Sequence, residues 1–345
     1  MSKKTTIYDI AKKLNITAAT VSRALNNNQK ISEATRKLVL ETASEMNYEQ
    51  NKLALALKSG KSNNVGVIVP RIDSNFFASI IRGIEDELSL YGYHVIICQT
   101  HELNEKEVET IDTLLNAQVD GILMSVSRSN KDSSHYERIL QKKIPLIFFD
   151  RRRIMEGVSS VTINDFEGGY TATKHLIDQG CKRIAHFSGE QSLEIFKERF
   201  LGYKQALLDN GLDLNQDYVI QTKSNLEEGE NAMRKLLKMK NPPDALFSSS
   251  DFGALGAITA LKSAGIKIPD EFGVVGFSNE PFTKFMELSI SSIDQSPLEM
   301  GTMAAKVFLE QMNNDEKLTI EKKIVLEPTL HIRKSSLKVS ELIQS

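Results

Sequence analysis

A short segment near the start of the chain carries side chains that can hydrogen-bond to base edges and phosphates. From residue 18 to residue 25 the spacing is helical, and Val21, Ala24 and Leu25 mark the side that we expect to be buried. The opposite side presents small residues, hydroxyls and one guanidinium, namely Ala18, Ala19, Thr20, Ser22 and Arg23. Such a helix face is suited to reading bases in the major groove of DNA. A three-helix bundle that contacts other proteins is the alternative.

This helix lies in the middle of three helical patterns between residues 6 and 46. Thr17 is its predicted N-cap, and Ser32 is expected to open the third helix. The first helix has apolar residues with helical spacing at Ile7, Ile10, Ala11 and Leu14. The third is expected to close the bundle with Leu38, Val39, Thr42, Ala43 and Met46.

The charge of the chain is distributed unevenly. Residues 1–61 hold 11 Lys and Arg against 5 Asp and Glu, whereas residues 62–345 hold 32 against 40, for a formal net charge of −2. A basic N-terminal segment followed by an acidic remainder is typical of a nucleic-acid-binding module joined to another domain. The positive charge would attract phosphates, and base choice would come from the exposed helix face.

The remainder of the chain has the sequence pattern of an α/β protein. A length of 345 residues predicts more than one domain, and from Val65 short apolar runs alternate with amphipathic helical patterns. Continuous apolar strands indicate parallel sheets covered on both faces. Ligands of such sheets bind outside the carboxyl ends of the strands. Those ends are polar here, as strand-to-helix loops are in any fold: 71–75, 125–128, 150–152, 164–165, 188–190, 249–251 and 278–280.

Several classes of protein are not expected. No apolar run reaches membrane-spanning length, and the start of the chain lacks the apolar segment of a signal peptide. The two cysteines, Cys98 and Cys181, have no CxxC partner, so a cytoplasmic protein without disulfides is expected. A Gly-Lys-Ser sequence at residues 60–62 lacks the earlier glycine of a phosphate loop, and GxSxG and HExxH are absent. We therefore expect neither an enzyme nor a cofactor or metal site.

The sequence resembles the LacI/GalR family of bacterial transcriptional repressors over essentially its whole length. The residues that carry the resemblance are Ile7-Tyr8-Asp9-Ile10-Ala11, Thr20-Val21-Ser22-Arg23-Ala24-Leu25-Asn26, Ser32, Thr35-Arg36, Tyr48, Asn51, Ala54, Leu57, Val65-Gly66 and Val274-Val275-Gly276-Phe277.

This resemblance implies the fold class and the domain organisation. An all-α helix-turn-helix head would occupy residues 1–49, and a hinge helix and linker residues 50–62. A two-lobed, periplasmic-binding-protein-like α/β core of parallel sheets would follow at residues 63–340. Its N-lobe is placed at about 63–162 and 292–326, and its C-lobe at about 163–291 and 327–340.

The resemblance also implies the DNA contacts. Leu57 falls where the family's hinge leucine wedges between base steps, whereas Gln50 and Leu55 stand where proline and arginine are usual. For Arg23, a phosphate contact is the alternative to a guanine. The complete predicted set is Thr6, Thr17, Ala18, Ala19, Thr20, Ser22, Arg23, Asn26, Lys30, Asn51, Ala54 and Leu57.

For the core, the resemblance implies an effector held by Asp150 and Arg199, with an ion pair to Glu194 or Glu198 as the alternative for Arg199. Ser278 stands where sugar-binding relatives usually place an aspartate, which makes a uronate, an oligosaccharide fragment or a phosphorylated ligand more plausible than a neutral hexose. Phe76 and Phe77 could stack on a sugar or could belong to the core of the next helix. The predicted ligand set is Asp73, Phe76, Phe77, Ser125, Asp150, Asn164, Arg199, Ser250 and Ser278.

The expected function is therefore a DNA-binding repressor, controlled by a sugar or sugar acid and acting at the nucleoid in the bacterial cytoplasm. Its expected partners are a palindromic operator, a small-molecule effector and a second copy of the chain, with helices at residues 76–90 and 106–118 as candidates for the dimer face. A solute-binding protein of sugar transport or chemotaxis is the alternative, but it would explain only the core.

Overall fold

The computed structural model describes residues 5–49, 61–128, 133–312 and 321–338. The chain divides into two compact units, Met1–Ser62 and Asn63–Ser345, which we call the head and the core. The predicted hinge contacts Asn51, Ala54 and Leu57 lie outside the described residues, as do Gln50 and Leu55.

The head consists of α1 (Ile7–Leu14), α2 (Ala18–Leu25) and α3 (Glu33–Glu45). Each helix begins after a hydroxyl residue, Thr6, Thr17 or Ser32, whose side-chain oxygen accepts a hydrogen bond from the N–H three residues later. These caps satisfy backbone donors that the helix itself leaves open, and each typically contributes about 1 kcal/mol. The predicted cap at Thr17 and the bounds of α2 are therefore confirmed.

A small apolar core holds the three helices together. Ile10, Val21 and Val39 contribute one fully buried side chain from each helix, and alanines fill the space between them. Leu38 was predicted to join this core, but it is 50 % exposed. Because Leu38 precedes Val39 by one residue, it points about 100° away from the buried stripe of α3.

The core contains two parallel sheets. Their strands are β1 (Asn64–Val69), β2 (His94–Gln99), β3 (Gly121–Met124), β4 (Leu146–Phe149), β5 (Ser159–Ile163), β6 (Ile184–Ser188), β7 (Val219–Gln221), β8 (Ala245–Ser248), β9 (Gly273–Phe277), β10 (Ser291–Asp294), β11 (Lys323–Leu326) and β12 (Thr329–His331). The first sheet has the order β11-β5-β4-β3-β1-β2, and the second β12-β10-β9-β8-β6-β7. Among the described strands, all pairs are parallel except β10–β12, which is antiparallel.

Helices cover the sheets. They are α4 (Asn75–Ser89), α5 (Asn104–Asn116), α6 (Ser134–Gln141), α7 (Asp165–Asp178), α8 (Glu194–Asp209), α9 (Leu226–Leu236), α10 (Asp251–Ser263), α11 (Pro281–Phe285) and α12 (Pro297–Met312). No helix in the described ranges has both the length and the apolar character needed to cross a membrane.

The chain crosses between the sheets three times, so each sheet defines a lobe built from separated segments. We call the lobe of the first sheet the N-lobe and that of the second sheet the C-lobe. The crossings follow β5, β10 and β11, and α12 returns to the N-lobe to pack on α4. β10 (Ser291–Asp294) belongs to the C-lobe, so the second crossing lies a few residues later than the predicted boundary at 291/292. Strand β10 contains the polar residues Ser291 and Ser292, so a search for apolar runs does not predict it although it is buried.

Strand β2 departs from the expected burial on both faces. It lies at the end of the first sheet, and Ile97 is 50 % exposed. An edge strand keeps one row of backbone groups and part of its side chains open to other contacts.

Candidate functional site

The head exposes most of the side chains that were predicted to contact DNA. Thr17, Ala19 and Arg23 on or beside α2 are exposed, and Thr20 and Ser22 are half-buried. Thr6, Asn26 and Lys30 are also exposed. The exposed side chains on and beside α2 are therefore available to contact a DNA groove.

Local hydrogen bonds fix the polar groups around α2. The Thr20 N–H donates to Thr17 Oγ1 at 3.2 Å, and the two hydroxyl oxygens lie 2.9 Å apart. The Asn26 side-chain amide donates to the Ser22 carbonyl at 2.8 Å. These bonds orient the hydroxyls and the amide before any partner arrives.

Ala18 differs from its neighbour Ala19. Ala18 is half-buried and packs against the apolar core of the head, whereas Ala19 is exposed. The structure therefore assigns Ala18 a packing contact and leaves the methyl group of Ala19 open to a thymine methyl.

In the core, loops at the carboxyl ends of strands from both lobes line a cleft of about 840 Å³, which we call the interlobe cleft. Parallel strands direct these loops to one edge of each sheet, which explains why residues far apart in sequence meet there. Of the predicted ligand residues, those that line the interlobe cleft are Asp73, Phe76, Phe77, Asp150, Arg199, Ser250 and Ser278.

Two predicted residues do not line the interlobe cleft. Ser125 is fully buried, and its hydroxyl donates to Asp150 Oδ2 at 3.0 Å, so it positions Asp150 from behind. The Asn164 side chain accepts a hydrogen bond from the Glu167 N–H and caps α7. Asn164 lines a neighbouring cavity of about 660 Å³, whose rim carries an ion pair between Arg152 and Glu194.

Arg199 is anchored on the C-lobe side of the interlobe cleft and is only 3 % exposed. Its Nε donates to Asp165 Oδ1 at 2.7 Å, and its Nη1 donates to the Ser249 carbonyl at 3.1 Å. Its Nη2 donates to Gln295 Oε1 at 3.1 Å, and the guanidinium lies 3.6 Å from the centre of the Phe277 ring. A guanidinium has five N–H donors, so these three bonds leave two for a ligand.

The partner of Arg199 differs from both alternatives that the sequence offered. Neither Glu198 nor Glu194 pairs with it; Glu194 pairs with Arg152 instead. Asp165 reaches Arg199 because α7 and α8 approach closely, and a Cβ on Gly169 would lie 2.2 Å from the Arg199 carbonyl oxygen. Burial raises the pKa of Asp165 to about 6, although Arg199 opposes this shift.

Asp150 is held at the end of β4 by its backbone and by Ser125. It has a positive φ of 59°, a conformation that is uncommon outside glycine and asparagine and is often found at functional sites. Burial raises its pKa, and the charges of Arg151 and Arg199 act in the opposite direction. It can therefore accept hydrogen bonds from a ligand, or donate one when it is protonated.

Phe76 and Phe77 belong both to the interlobe cleft and to the apolar core. They are 7 % and 4 % exposed, and their rings meet edge-on with centres 5.1 Å apart. The two predicted roles of these rings are thus compatible. Both side chains, which belong to the first turn of α4, pack in the apolar core and also present an apolar edge to the interlobe cleft.

The loop after β9 is fixed by a polar network. Ser278 and Asn279 have positive φ angles of 114° and 50°. The Asn279 amide donates to Asp294 Oδ2 at 2.7 Å, and its oxygen accepts from Arg333 Nη2 at 2.6 Å. The Ser278 hydroxyl accepts from Gln295 Nε2 at 2.9 Å. This loop therefore presents Ser278 in one orientation.

Asp251 connects this loop to α10. Its two oxygens accept the Ser292 hydroxyl at 2.6 Å and the Glu280 N–H at 2.8 Å. A Cβ on Gly276 would lie 2.1 Å from Asp251 Oδ1, so glycine is required beside the carboxylate. Burial raises the pKa of Asp251 to about 7, while both hydrogen bonds lower it.

Glu280 makes a contact across the interlobe cleft. Burial raises the pKa of its carboxyl, and a hydrogen bond with the backbone of Phe76 lowers it. Phe76 lies in the first turn of α4, whose N-cap Ser74 makes no side-chain capping bond. A carboxylate from the C-lobe therefore occupies the positive end of an N-lobe helix, where it is favoured by the helix dipole.

Several residues of the interlobe cleft were not singled out from the sequence. Most belong to the polar loops already noted at the strand ends, but only their side-chain contacts distinguish them from other loop residues. Gln295 and Glu102 carried no signal. The missed residues that line the interlobe cleft include Arg71, Glu102, Arg128, Arg151, Ser249, Asp251, Glu280 and Gln295. Among the described residues, no group of three or more His, Cys, Asp or Glu side chains could hold a metal ion.

An exposed helix-turn-helix head joined to a two-lobed core with a polar cleft defines a DNA-binding transcription regulator. Two family models match the chain: "Bacterial regulatory proteins, lacI family" over residues 6–51, and "Periplasmic binding proteins and sugar binding domain of LacI family" over residues 62–328. The chain belongs to the LacI family.

Individual proteins agree with this assignment. The chain is 34 % identical to the HTH-type transcriptional regulator DegA of Bacillus subtilis, over 96 % of this chain and 98 % of that protein. A CelR–cellobiose complex matches with a TM-score of 0.73 and 27 % identity, over 96 % of this chain and 100 % of the other. The Lac repressor dimer bound to operator and the anti-inducer ONPF matches with a TM-score of 0.86, over 97 % of this chain and 100 % of that one. At 21 % identity this last match shows the fold alone.

Proposed function

We propose that the chain is a repressor whose affinity for an operator changes when a sugar or sugar acid binds in the interlobe cleft. The observation that carries this proposal is the presence of the exposed α2 face and of the interlobe cleft on one chain. The cellobiose complex of CelR, at 27 % identity, supports a carbohydrate ligand.

The lining of the interlobe cleft has the chemistry that a carbohydrate requires. Hydroxyl groups of Ser250 and Ser278 and the remaining N–H groups of Arg199 can bond to sugar hydroxyls. The rings of Phe76 and Phe77 offer an apolar surface to the C–H face of a sugar ring. Ligand sites typically combine such apolar walls with a few fixed polar groups.

A homodimer is part of the proposal, because two heads are needed to read two half-sites of a palindromic operator. One side of α4 packs on α12, so a dimer contact would use the exposed side of α4 or the surface beside it. Leu90 and Tyr91 after α4 and Ile97 on the edge strand β2 are large, apolar and at least half exposed. We place the dimer face on this surface.

Signal transfer is proposed to run through the angle between the lobes. The polar contacts between the lobes include the hydrogen bond of the Glu280 carboxyl with the Phe76 backbone and the ion pair between Arg152 and Glu194. A ligand shifts the equilibrium between lobe angles only if it binds one of them more tightly. The hinge segment would convert this change into operator affinity, with Leu57 wedged between base steps. Leu57→Ala should then weaken specific binding without changing the thermal stability of the core, and unchanged binding would reduce the hinge to a linker.

We also propose that the chain is not an enzyme, because the serine hydroxyls that donate to the cleft carboxylates, Ser125 to Asp150 and Ser292 to Asp251, are fully buried and do not face a ligand. A solute-binding protein would use the core in the same way but would leave the head without a role. A DNA-binding repressor acts where the chromosome is, so we place its action at the bacterial nucleoid.

The test is a gel shift with DNA that the full chain selects from random sequence. We expect a palindromic consensus and a complex that weakens steeply with salt, because phosphate contacts release counterions. Arg23→Ala should weaken the complex, whereas the matched core variant Arg234→Ala should not. Retardation without sequence preference, equal in all three proteins, would contradict the proposal.

A further inference from the structure

Two arginines of the N-lobe converge on one carboxylate in the interlobe cleft. Arg128 follows β3, Arg151 follows β4 and Glu102 follows β2, so the three lie after the carboxyl ends of strands in the same sheet, where β4 and β3 are adjacent and β1 separates β3 from β2. Arg151 Nη1 donates to both Glu102 oxygens, at 3.0 and 2.9 Å. Arg128 Nε lies 3.3 Å from Glu102 Oε1, and the Arg128 backbone N–H donates to Glu102 Oε2 at 3.3 Å. One negative charge therefore faces two positive ones.

The guanidinium of Arg151 is buried with a donor left over. Arg151 is 9 % exposed, and its Nε has no hydrogen-bond partner among the described residues. The nearest carboxylate oxygen, Asp150 Oδ2, is 3.7 Å away and already accepts the Ser125 hydroxyl. A buried donor without a partner costs about 1–3 kcal/mol and in a binding cleft indicates a missing acceptor.

The backbone that presents Glu102 is strained. His101 and Glu102 both have positive φ angles, 54° and 63°, in the tight turn that follows β2. Non-glycine residues in this conformation are uncommon and concentrate at functional sites. The turn brings the Glu102 carboxylate between the two guanidiniums.

We propose that Arg128 and Arg151 form an anion subsite of the interlobe cleft that takes the carboxylate or phosphate group of the effector, with Glu102 as an internal counter-ion that competes with it. This inference rests on the proposed effector function and narrows the effector to a hydroxylated molecule with one anionic end.

Burial and the charges of Arg151 and Arg71 lower the pKa of Arg128, while Glu102 and Glu190 raise it, so a bound anion would favour its charged form. Arg71 is close enough to act on the charge of Arg128, although it is itself paired with the exposed Asp73. The Asp150 carboxylate lies 3.7 Å from Arg151 Nε, outside hydrogen-bond distance, and its Oδ2 is already bonded to the Ser125 hydroxyl, so it does not fill the donor. On the opposite wall, the hydroxyls of Ser250 and Ser278 face the cleft without a charge. A sugar hydroxyl could accept from the Arg151 donor, but only an anionic oxygen would also balance the second positive charge.

Thermal unfolding of the full chain in inorganic phosphate and, separately, in acetate tests the subsite. Ionic strength is held constant with sodium chloride, and the apparent dissociation constant follows from the rise of Tm with anion concentration. We expect a saturable stabilisation by at least one anion, and the effective anion identifies a phosphate or a carboxylate group. Arg128→Gln should weaken the apparent affinity about tenfold, the size of one charge-assisted hydrogen bond. Glu102→Gln should strengthen it, because the competing carboxylate is gone.

Arg138→Gln is the matched control, since Arg138 makes an exposed ion pair with Asp112 in the same lobe. It should respond to the anions as the unmodified chain does. Equal and unsaturated shifts in all four proteins, or an unchanged affinity in Glu102→Gln, would overturn the subsite. Operator binding is measured independently in the gel shift. If the chain binds its operator but no anion stabilises its core, only the anion subsite is refuted.

Discussion

Arg23 in the head and Arg199 in the core are both arginines on helices, yet their surroundings are opposite. Arg23 is exposed in the last turn of α2, and its side chain extends toward solvent. Arg199 is buried by Asp165, Gln295 and the Phe277 ring. An exposed arginine can adapt to a groove, whereas an anchored one presents fixed donors to a ligand of one shape. The exposed arginine of the head is thus suited to a partner of variable shape, and the fixed arginine of the interlobe cleft is suited to a ligand of one shape.

The same difference extends to the stability of the two regions. The head depends on caps and on a few buried side chains, and small domains of this kind are marginally stable. The core buries charged networks whose members depend on one another. Substitutions should therefore act locally and steeply in the head, and through partner groups in the core.

Val21→Asp should give the largest effect. Val21 is fully buried between the helices of the head, and a carboxylate there costs several kcal/mol. We expect the head to unfold and operator affinity to fall at least about 100-fold, while the unfolding of the core is unchanged. Gel shift and calorimetry measure the two parts. Val325→Asp, at an exposed strand position of the core, is the control and should bind DNA normally; a shifted core transition in Val21→Asp would show that the two units unfold together.

Arg199→Ala should destabilise the core by about 3–5 kcal/mol, because it leaves the buried Asp165 carboxylate without its partner. Denaturant unfolding measures this loss. Arg234→Ala removes an exposed arginine that pairs with Glu230 and should cost less than about 1 kcal/mol. A similar, small loss in both variants would mean that the network around Arg199 does not hold the interlobe cleft together.

Arg23→Ala should weaken operator binding by about 1–3 kcal/mol if Arg23 reads a base, and the loss should vanish on operators changed at that base pair. If Arg23 holds a phosphate instead, the loss should be the same on every sequence, and the salt slope should fall by about one. Anisotropy titrations with a set of base-substituted operators separate the two contacts.

The pH dependence of the core gives the smallest expected effect. The folded-state pKa of Asp251, about 7, is above its unfolded value, so the native state keeps a proton that the unfolded state has lost, and this stabilisation decreases as pH rises toward 7 and levels off above it. Between pH 6 and pH 8 we expect the free energy of unfolding to decrease by about 1 kcal/mol from this group. Asp251→Asn should flatten the profile over that interval. A profile that keeps its slope in the variant would assign the titration to another group.

The sequence predicted the head better than the interlobe cleft for a physical reason. The face of α2 is set by helical spacing and by the Thr17 cap, which are local properties of eight consecutive residues. The burial of Leu38 was predicted wrongly because a shift of one residue along a helix turns a side chain from the buried side to the exposed side. In the core, the strands up to β9 could be anticipated from apolar runs, but the serine-containing β10 and the half-exposed end strands β11 and β12 could not.

The interlobe cleft could be predicted only in outline. Its position at the strand ends follows from the topology, and Asp150, Arg199 and Ser278 were placed there by family resemblance. The contacts of these residues depend on side chains far away in sequence, such as Asp165 for Arg199 and Gln295 for Ser278. Ser125 shows the limit, since it lies at the correct strand end but points behind the wall of the interlobe cleft.

The central claim is that binding of an effector in the interlobe cleft changes the affinity of the head for DNA. A thermal-shift screen of sugars and sugar acids supplies a ligand that raises the Tm of the core, and operator affinity is then measured with and without it. We predict a change of about 5- to 150-fold, the usual range of allosteric coupling, that disappears in Arg199→Ala. A ligand that stabilises the core but leaves operator affinity unchanged would contradict the account.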